Sequence, residues 1–237
     1  MPHSSFQFKQ FTVWHDRCAM KVGTDGVLLG AWVDVQNVHT VLDIGTGSGL
    51  IALMLAQRCA KDTRLIGVEI DPEAAAQAKE NVERSPWPQQ IDIVQADFRH
   101  HTFDSSFDLI VSNPPYFHEA LVCPNAQRRL ARHTDTLTYD ELLVGATALL
   151  SPRGRLCLIL PSEASALVEQ KAQTQGLHTL HRTHILTKPG EAPKRTILSF
   201  SLEFAPTQES ILPIRNTQNE HSSLYIDLTK NYYLNIG

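Results

Sequence analysis

Asp43-Ile44-Gly45-Thr46-Gly47-Ser48-Gly49-Leu50 is the stretch whose reading decides the fold. The apolar run Val41-Leu42-Asp43-Ile44 ahead of it predicts a short buried strand, and Leu50 to Arg58 behind it predicts a helix. A strand that passes through a glycine turn into a helix opens an α/β sheet whose ligand sits at the strand's carboxyl end. Glycines there permit a tight turn and a close approach of ligand to backbone. Their spacing is informative. A dinucleotide fingerprint reads G-x-G-x-x-G, with a pyrophosphate on the helix N-terminus. Here the third glycine arrives one residue early, as Gly45, Gly47 and Gly49, and Asp43 precedes the set. A carboxylate beside the loop would repel a pyrophosphate and suit a cationic amino-acid group. A plain glycine-rich turn and a dinucleotide site remain the competing readings.

The pattern continues outward. Arg64 to Glu69 is a second strand, and Glu73 to Arg84 a helix, with Asp71 as its candidate cap and Pro72 in its first turn. Ile91 to Val94 and Phe107 to Val111 are further strands. Tyr139 to Leu150 is a helix, Arg155 to Leu160 a strand and Ala164 to Gln175 a helix. Two extended runs close the pattern, near Leu177 to Leu186 and Arg195 to Phe204. The loop between those runs, Thr187 to Lys194, is too short for a crossover helix, so they form an antiparallel hairpin. Strands alternating with helices give a mainly parallel, Rossmann-like sheet covered on both faces. The expected fold class is α/β, with a seven-stranded, mostly parallel sheet ending in a C-terminal antiparallel hairpin. Residues 1–40 form an N-terminal segment over the site, 41–204 the α/β domain and 205–237 a tail docked by its aromatic residues. Within the N-terminal segment, Phe6 to Phe11 alternates as a short strand does, and Thr24 or Asp25 is placed to cap a short helix.

With 237 residues, 42% of them apolar, the chain can bury a substantial core as one decorated domain. A net charge of −4 gives no global signal for nucleic acid, so any such binding must come from local basic clusters. Cys18, Cys59, Cys123 and Cys157 lack C-x-x-C spacing, which argues against a zinc site or a disulfide framework. Eleven histidines occur without H-E-x-x-H or another metal spacing, and no metal is expected. No run of ~18 apolar residues and no leader pattern is present, so a soluble, cytoplasmic protein is expected.

Chemistry-bearing residues fall at the carboxyl ends of the predicted strands. Glu69 ends the second, about twenty residues past the glycines, where a carboxylate accepts both ribose hydroxyls of a nucleoside. Asp97 follows the third and can accept from an adenine amine, with Phe98 beside the ring. After the fourth comes Asn113-Pro114-Pro115-Tyr116. The Asn113 amide oxygen and the Pro114 carbonyl can each accept from an exocyclic amine, and Tyr116 can stack on a flat ring. Without its neighbours the tetrad would read as a Pro-Pro turn. S-adenosylmethionine, with an ammonium, a sulfonium, an adenosine and no phosphate, matches the glycine loop and these carboxylates together.

In combination, Asp43 to Gly49, Val68-Glu69, Asp97 and Asn113 to Tyr116 resemble the successive motifs of class I S-adenosylmethionine-dependent methyltransferases. The Asn-Pro-Pro-Tyr form is similar to enzymes that methylate exocyclic amines of adenine and guanine, and to those that methylate a glutamine amide. Two flanking stretches, Phe8 to Gly30 and Tyr225 to Leu234, resemble the beginning and end of the bacterial tRNA1(Val) adenine-N6 methyltransferases. That resemblance implies transfer of a methyl group to N6 of the adenine 3′ of the anticodon of a valine tRNA. His15 to Cys18, and His133 after Arg132, depart from the family pattern.

The expected roles follow. Asn113, Pro114 and Tyr116 are catalytic. Asp43, Gly45, Gly47, Gly49, Glu69, Asp97, Phe98 and Asn113 hold the cofactor, with Lys21 and Thr24 closing over its methionine end. Arg128, Arg129 and Arg132, with Lys188, Lys194 and Arg195, are the cationic candidates for RNA binding. The partner is a tRNA anticodon stem-loop, and a monomer is expected. Rival readings are methylation of guanine N2 in ribosomal RNA, methylation of a protein glutamine, a non-catalytic nucleotide-binding module and a nicotinamide oxidoreductase. The short segment ahead of the first sheet strand argues against the protein-glutamine enzymes, which usually carry a separate helical domain there.

Overall fold

The computed structural model describes residues 5–115 and 137–236. A small N-terminal hairpin pairs β1 (Ser5–Gln7) with β2 (Thr12–Trp14), and α1 (Thr24–Trp32) follows. The α/β alternation then runs through β3 (Thr40–Ile44), α2 (Leu50–Ala56), β4 (Arg64–Glu69), α3 (Pro72–Glu83), β5 (Ile91–Gln95) and β6 (Phe107–Ser112). The second half contains α4 (Tyr139–Leu149), β7 (Leu150–Pro161), α5 (Ser162–Thr174), β8 (His178–Leu186), β9 (Arg195–Ser201), β10 (Gln208–Pro213) and α6 (Ser223–Thr229).

The strand order is β10-β8-β9-β7-β6-β3-β4-β5. Strands β7, β6, β3, β4 and β5 are mutually parallel, and β9 runs antiparallel between β7 and β8. The seven predicted strands and the closing hairpin are all present. An eighth strand, β10, adds to the edge in parallel with β8. It lies in what reads as a polar tail, because four of its six residues are exposed and an edge strand needs no apolar run. Its attachment is polar: Thr183 and Ser210 share a hydroxyl hydrogen bond of 2.8 Å, and Arg182 pairs with Glu209.

Central strands β3 and β6 are buried on both faces, as parallel strands under helices must be. On one face α1, α2, α3 and α6 pack around Leu28, Leu53, Met54 and Ala78; on the other α4 and α5 pack around Leu142, Leu143 and Val168. The tail closes on the N-terminal hairpin, where Phe8 stacks on Tyr233, and the Tyr232 hydroxyl donates to the Met54 carbonyl at 3.0 Å.

The chain order reverses at β3. From it the sheet grows through β4 and β5 in one direction, and β6 lands on its other side. Such a switch point leaves a crevice at the carboxyl ends of the two strands. Ile44 and Ser112 are register partners there, and the Ser112 hydroxyl donates to the Ile44 carbonyl at 2.8 Å. The glycine loop after β3 and the Asn113 corner after β6 are thereby adjacent, although 68 positions separate Ile44 from Ser112. No helix among the described residues is long and apolar enough to cross a membrane.

Candidate active site at the switch point

Gly45, Gly47 and Gly49 adopt φ of +70°, +57° and +80°. Any L side chain is strained there. An added Cβ at Gly45 or Gly47 would meet nothing within 4 Å, so the backbone angle, not space, requires glycine. The turn wraps the end of β4, with the Gly45 and Thr46 amides donating to the Val68 carbonyl at 2.9 and 3.1 Å. Glu69 is locked beside it: Oε2 accepts from the Gly47 amide at 2.8 Å and Oε1 from the Asp71 amide at 3.0 Å. Asp71 itself caps α3, accepting from the Ala74 amide at 2.8 Å.

Asp43, expected beside the cofactor, stands behind the loop. It is 1% exposed and does not line the cavity. Its Oδ2 accepts from the Thr46 hydroxyl at 2.7 Å, and the buried carboxylate otherwise faces only the Ala52 backbone amide, with no well-formed hydrogen bond at Oδ1. Burial pushes its carboxyl up to about 7, against the Thr46 hydrogen bond. The carboxylate at this place in the sequence shapes the loop from behind, because the last side chain but one of β3 points into the core.

At the third strand end, Asp97 grips Arg99. Nε donates at 3.0 Å and Nη2 at 2.7 Å, and this pairing holds the Asp97 carboxyl below its ordinary range. Arg99 also lies 3.7 Å from Glu141 on α4. Phe98 is buried against α4, where Gly145 makes room for it: a Cβ there would fall 2.6 Å from the ring. At the fourth strand end Asn113 is half-buried, Pro114 buried and Pro115 exposed. The Asn113 amide lies 3.7 Å from the Met20 sulfur.

A cavity of about 630 Å³ joins these ends. Gly45, Gly47, Glu69, Asp97, Phe98, Asn113 and Pro114 all line it, as do Lys21 and Thr24 of the N-terminal segment. Gly49 does not; it seals the turn against Ala78. The cavity's volume suits a ligand of nucleoside size. Asp25, Glu69, Asp71 and Asp97 line it against Lys21 and Arg99, a balance that favours a cation over a polyphosphate. Helix α1 starts without a side-chain cap. Gly23 occupies the N-cap, so neither Thr24 nor Asp25 serves that role. Asp25 instead accepts from Arg195 Nε at 2.8 Å. That ion pair ties Arg195 to the cavity wall, while Lys188 and Lys194 stand away from the cavity on the β8–β9 loop. Tyr116, Arg128, Arg129 and Arg132 lie outside the described residues. Among the described residues no three His, Cys, Asp or Glu side chains cluster as metal ligands.

Several lining residues carried no sequence signal. Cys18, Ala19 and Met20 form a wall beside Lys21, and Arg99 reaches in from the turn after β5. His15, with the pattern of an ordinary polar residue, is 6% exposed and accepts from the Val22 amide at 3.3 Å, closing the base of that wall.

The chain matches the model of the methyltransferase small domain over residues 20–178. Its fold is that of a protein of Agrobacterium tumefaciens described as a predicted O-methyltransferase, with a TM-score of 0.69 at 19% identity over 90% of this chain and 99% of that one. A glycopeptide N-methyltransferase solved with S-adenosylmethionine superposes at a TM-score of 0.58 and 12% identity, covering 80% of this chain and 98% of its own. Switch-point cavity, glycine loop and strand-end carboxylate thus define a class I methyltransferase. Among sequence relatives, the tRNA1(Val) (adenine(37)-N6)-methyltransferase of Bacteroides thetaiotaomicron is 48% identical over all of both chains. That of Pasteurella multocida is 46% identical over 98% of this chain and 97% of its own. The chain belongs to the tRNA1(Val) (adenine(37)-N6)-methyltransferase family.

Proposed function

We propose that this protein methylates the exocyclic N6 of adenine in a tRNA, at the adenine 3′ of the anticodon of a valine tRNA. One observation carries the reading. The glycine loop with Glu69, and the Asn113-Pro114 corner, line one continuous cavity, so a donor held at one end can reach an acceptor at the other. The acidic lining and the absence of a phosphate-compensating cation in the glycine turn fit S-adenosylmethionine. Glu69 would take its ribose, the Gly45–Gly47 backbone its amino-acid end, and Phe98 its adenine. When bound, that group supplies a methyl already activated by positive sulfur.

The chain's own residues then have limited work. The N6 lone pair of adenine is delocalised into the ring and attacks poorly. Asn113 Oδ1 and the Pro114 carbonyl, accepting hydrogen bonds from its two N–H groups, would favour a pyramidal nitrogen and localise the pair. Alignment of this kind can supply several kcal/mol. The product ammonium is strongly acidic and loses its proton to these acceptors or to water, so no dedicated base is needed. Tyr116 would hold the ring by stacking. The target base leaves its stack to enter the cavity, at small cost in an anticodon loop. Lys188 and Lys194, with Arg128, Arg129 and Arg132, would meet the phosphates, acting on the anticodon stem-loop as a cytoplasmic monomer. Labelled S-adenosylmethionine and total tRNA from cells lacking the protein test this directly. Label should appear at N6 of a single adenine of a valine tRNA, mapped by mass spectrometry; tRNA left unlabelled, or labelled at another base or atom, would refute it.

A further inference from the structure

Cys18 to Lys21 line the cavity from a segment, residues 15–22, that has no sheet or helix of its own. Helix α3 holds it through two side-chain amides that are 1% and 0% exposed: Gln77 binds the segment itself, and Asn81 binds Trp14, the last residue of β2, from which the segment leaves. Spaced i and i+4, they lie on one helix face. Gln77 Oε1 accepts from the Arg17 amide at 3.0 Å and the Cys18 thiol at 3.3 Å, and Gln77 Nε2 donates to Asp16 Oδ1 at 2.7 Å. Asn81 Oδ1 accepts from the Trp14 amide at 2.9 Å, and its Nδ2 donates to the Trp14 carbonyl at 2.8 Å. The same Nδ2 donates to the Ser48 carbonyl of the glycine loop at 2.8 Å. Outside them Arg17 pairs with Glu80 at 2.6 Å.

Buried amides weaken a helix face unless every polar atom is satisfied. These two spend their hydrogen bonds on strap and loop, and none on α3. Asn81 joins the root of the strap at Trp14 to the glycine loop at Ser48. At its far end the strap brings Met20 to the Asn113 amide. We propose that Gln77 and Asn81 are positioning residues that set the N-terminal strap against the glycine loop and thereby hold the cofactor cavity at its working width. This rests on the cofactor reading of that cavity. Neither residue lines the cavity. Their effect passes through Cys18 to Lys21 on one side and Ser48 on the other.

A donor–acceptor exchange tests it. Gln77→Glu keeps the acceptor oxygen for Arg17 and Cys18 but sets a carboxylate against Asp16. S-adenosylmethionine affinity, measured by titration calorimetry, should fall about tenfold. Asp16→Asn alone retains an acceptor for Gln77 and should stay within about twofold of wild type. In the double variant Asp16→Asn/Gln77→Glu the introduced amide donates to the introduced carboxylate, and most of the loss should be recovered. Wild-type affinity in Gln77→Glu would overturn the proposal, as would a loss the double variant does not recover, since general damage to α3 cannot be rescued from the strap. Should Gln77→Glu not fold, Asp16→Lys on the exposed side carries the same test: a comparable loss supports the clamp and unchanged affinity overturns it. Failure of the wild-type protein to bind S-adenosylmethionine would instead remove the cofactor reading.

Discussion

The cavity has two walls of opposite construction. The glycine loop takes its shape locally and its support from nearer in the chain: Gly45 to Gly49 turn on their own backbone angles and Thr46 bonds Asp43, while Glu69 lies 22 positions from Gly47 and Asn81 lies 33 from Ser48. The opposite wall, residues 15–22 with the Asn113 corner, is assembled from distant parts. Gln77 and Asn81 lie about 60 to 67 positions from the strap residues they hold, and Met20 is 93 positions from Asn113. A locally coded loop binds whatever its turn geometry admits. A wall held by long-range interactions can be set by the rest of the fold, and in the proposed function it is the wall that faces the acceptor.

If the walls divide the work in this way, substitutions should separate. Asn113→Ala gives the largest effect expected, a fall in turnover of at least about 100-fold from lost alignment, with S-adenosylmethionine affinity nearly intact by calorimetry. Equal loss of both would erase the division. Next comes Asp43→Asn. Folded Asp43 keeps its proton to about 7, while in the unfolded chain it ionises near its ordinary value, about 3.9. Its contribution to stability is full below about pH 4 and is lost as pH rises through about 7. The asparagine variant cannot ionise, so denaturant melts from about pH 4 to 8 should show it gaining on wild type by a few kcal/mol. Parallel curves would mean Asp43 is not buried behind the loop. Gly47→Ala puts an L residue at φ +57°, costing about 1–2 kcal/mol. Cofactor affinity should drop roughly tenfold, with affinity for tRNA unchanged. The smallest effect is expected from Lys188→Glu/Lys194→Glu, a few-fold weaker tRNA binding at physiological salt. Its log–log salt slope should flatten by about 0.7 for each phosphate no longer neutralised. An unaltered slope would place both lysines off the RNA.

Much of this site is legible in the linear chain, and the exceptions share one cause. Glu69 and Asn113 stand at strand ends, where an apolar run stops and a polar side chain begins, a local signal. Asp43 has the same local signal and a different place: one residue earlier in the pleat, it points inward. Asp97 reads as a free acceptor, but Arg99 two residues on chelates it, which requires knowing how the turn folds. Thr24 and Asp25 have the residue types of a helix cap, yet Gly23 takes the N-cap position and Asp25 turns to Arg195, 170 positions away. Gln77 and Asn81 look like surface residues of an Ala-Glu-Lys helix. Burial, not residue type, makes them a clamp.

The amino-acid sequence by itself determined the α/β alternation, the closing hairpin, the left-handed glycine turn and the acidic and amide side chains at the strand ends. All of these follow from short-range periodicity and backbone stereochemistry. Only the tertiary structure decided that β3 and β6 are neighbours, that two buried amides of α3 hold the strap and its root, and that an eighth strand extends the sheet. Strand order and strap placement are settled by burial and pairing between residues far apart in the chain, and no local pattern records which distant partner a side chain will meet.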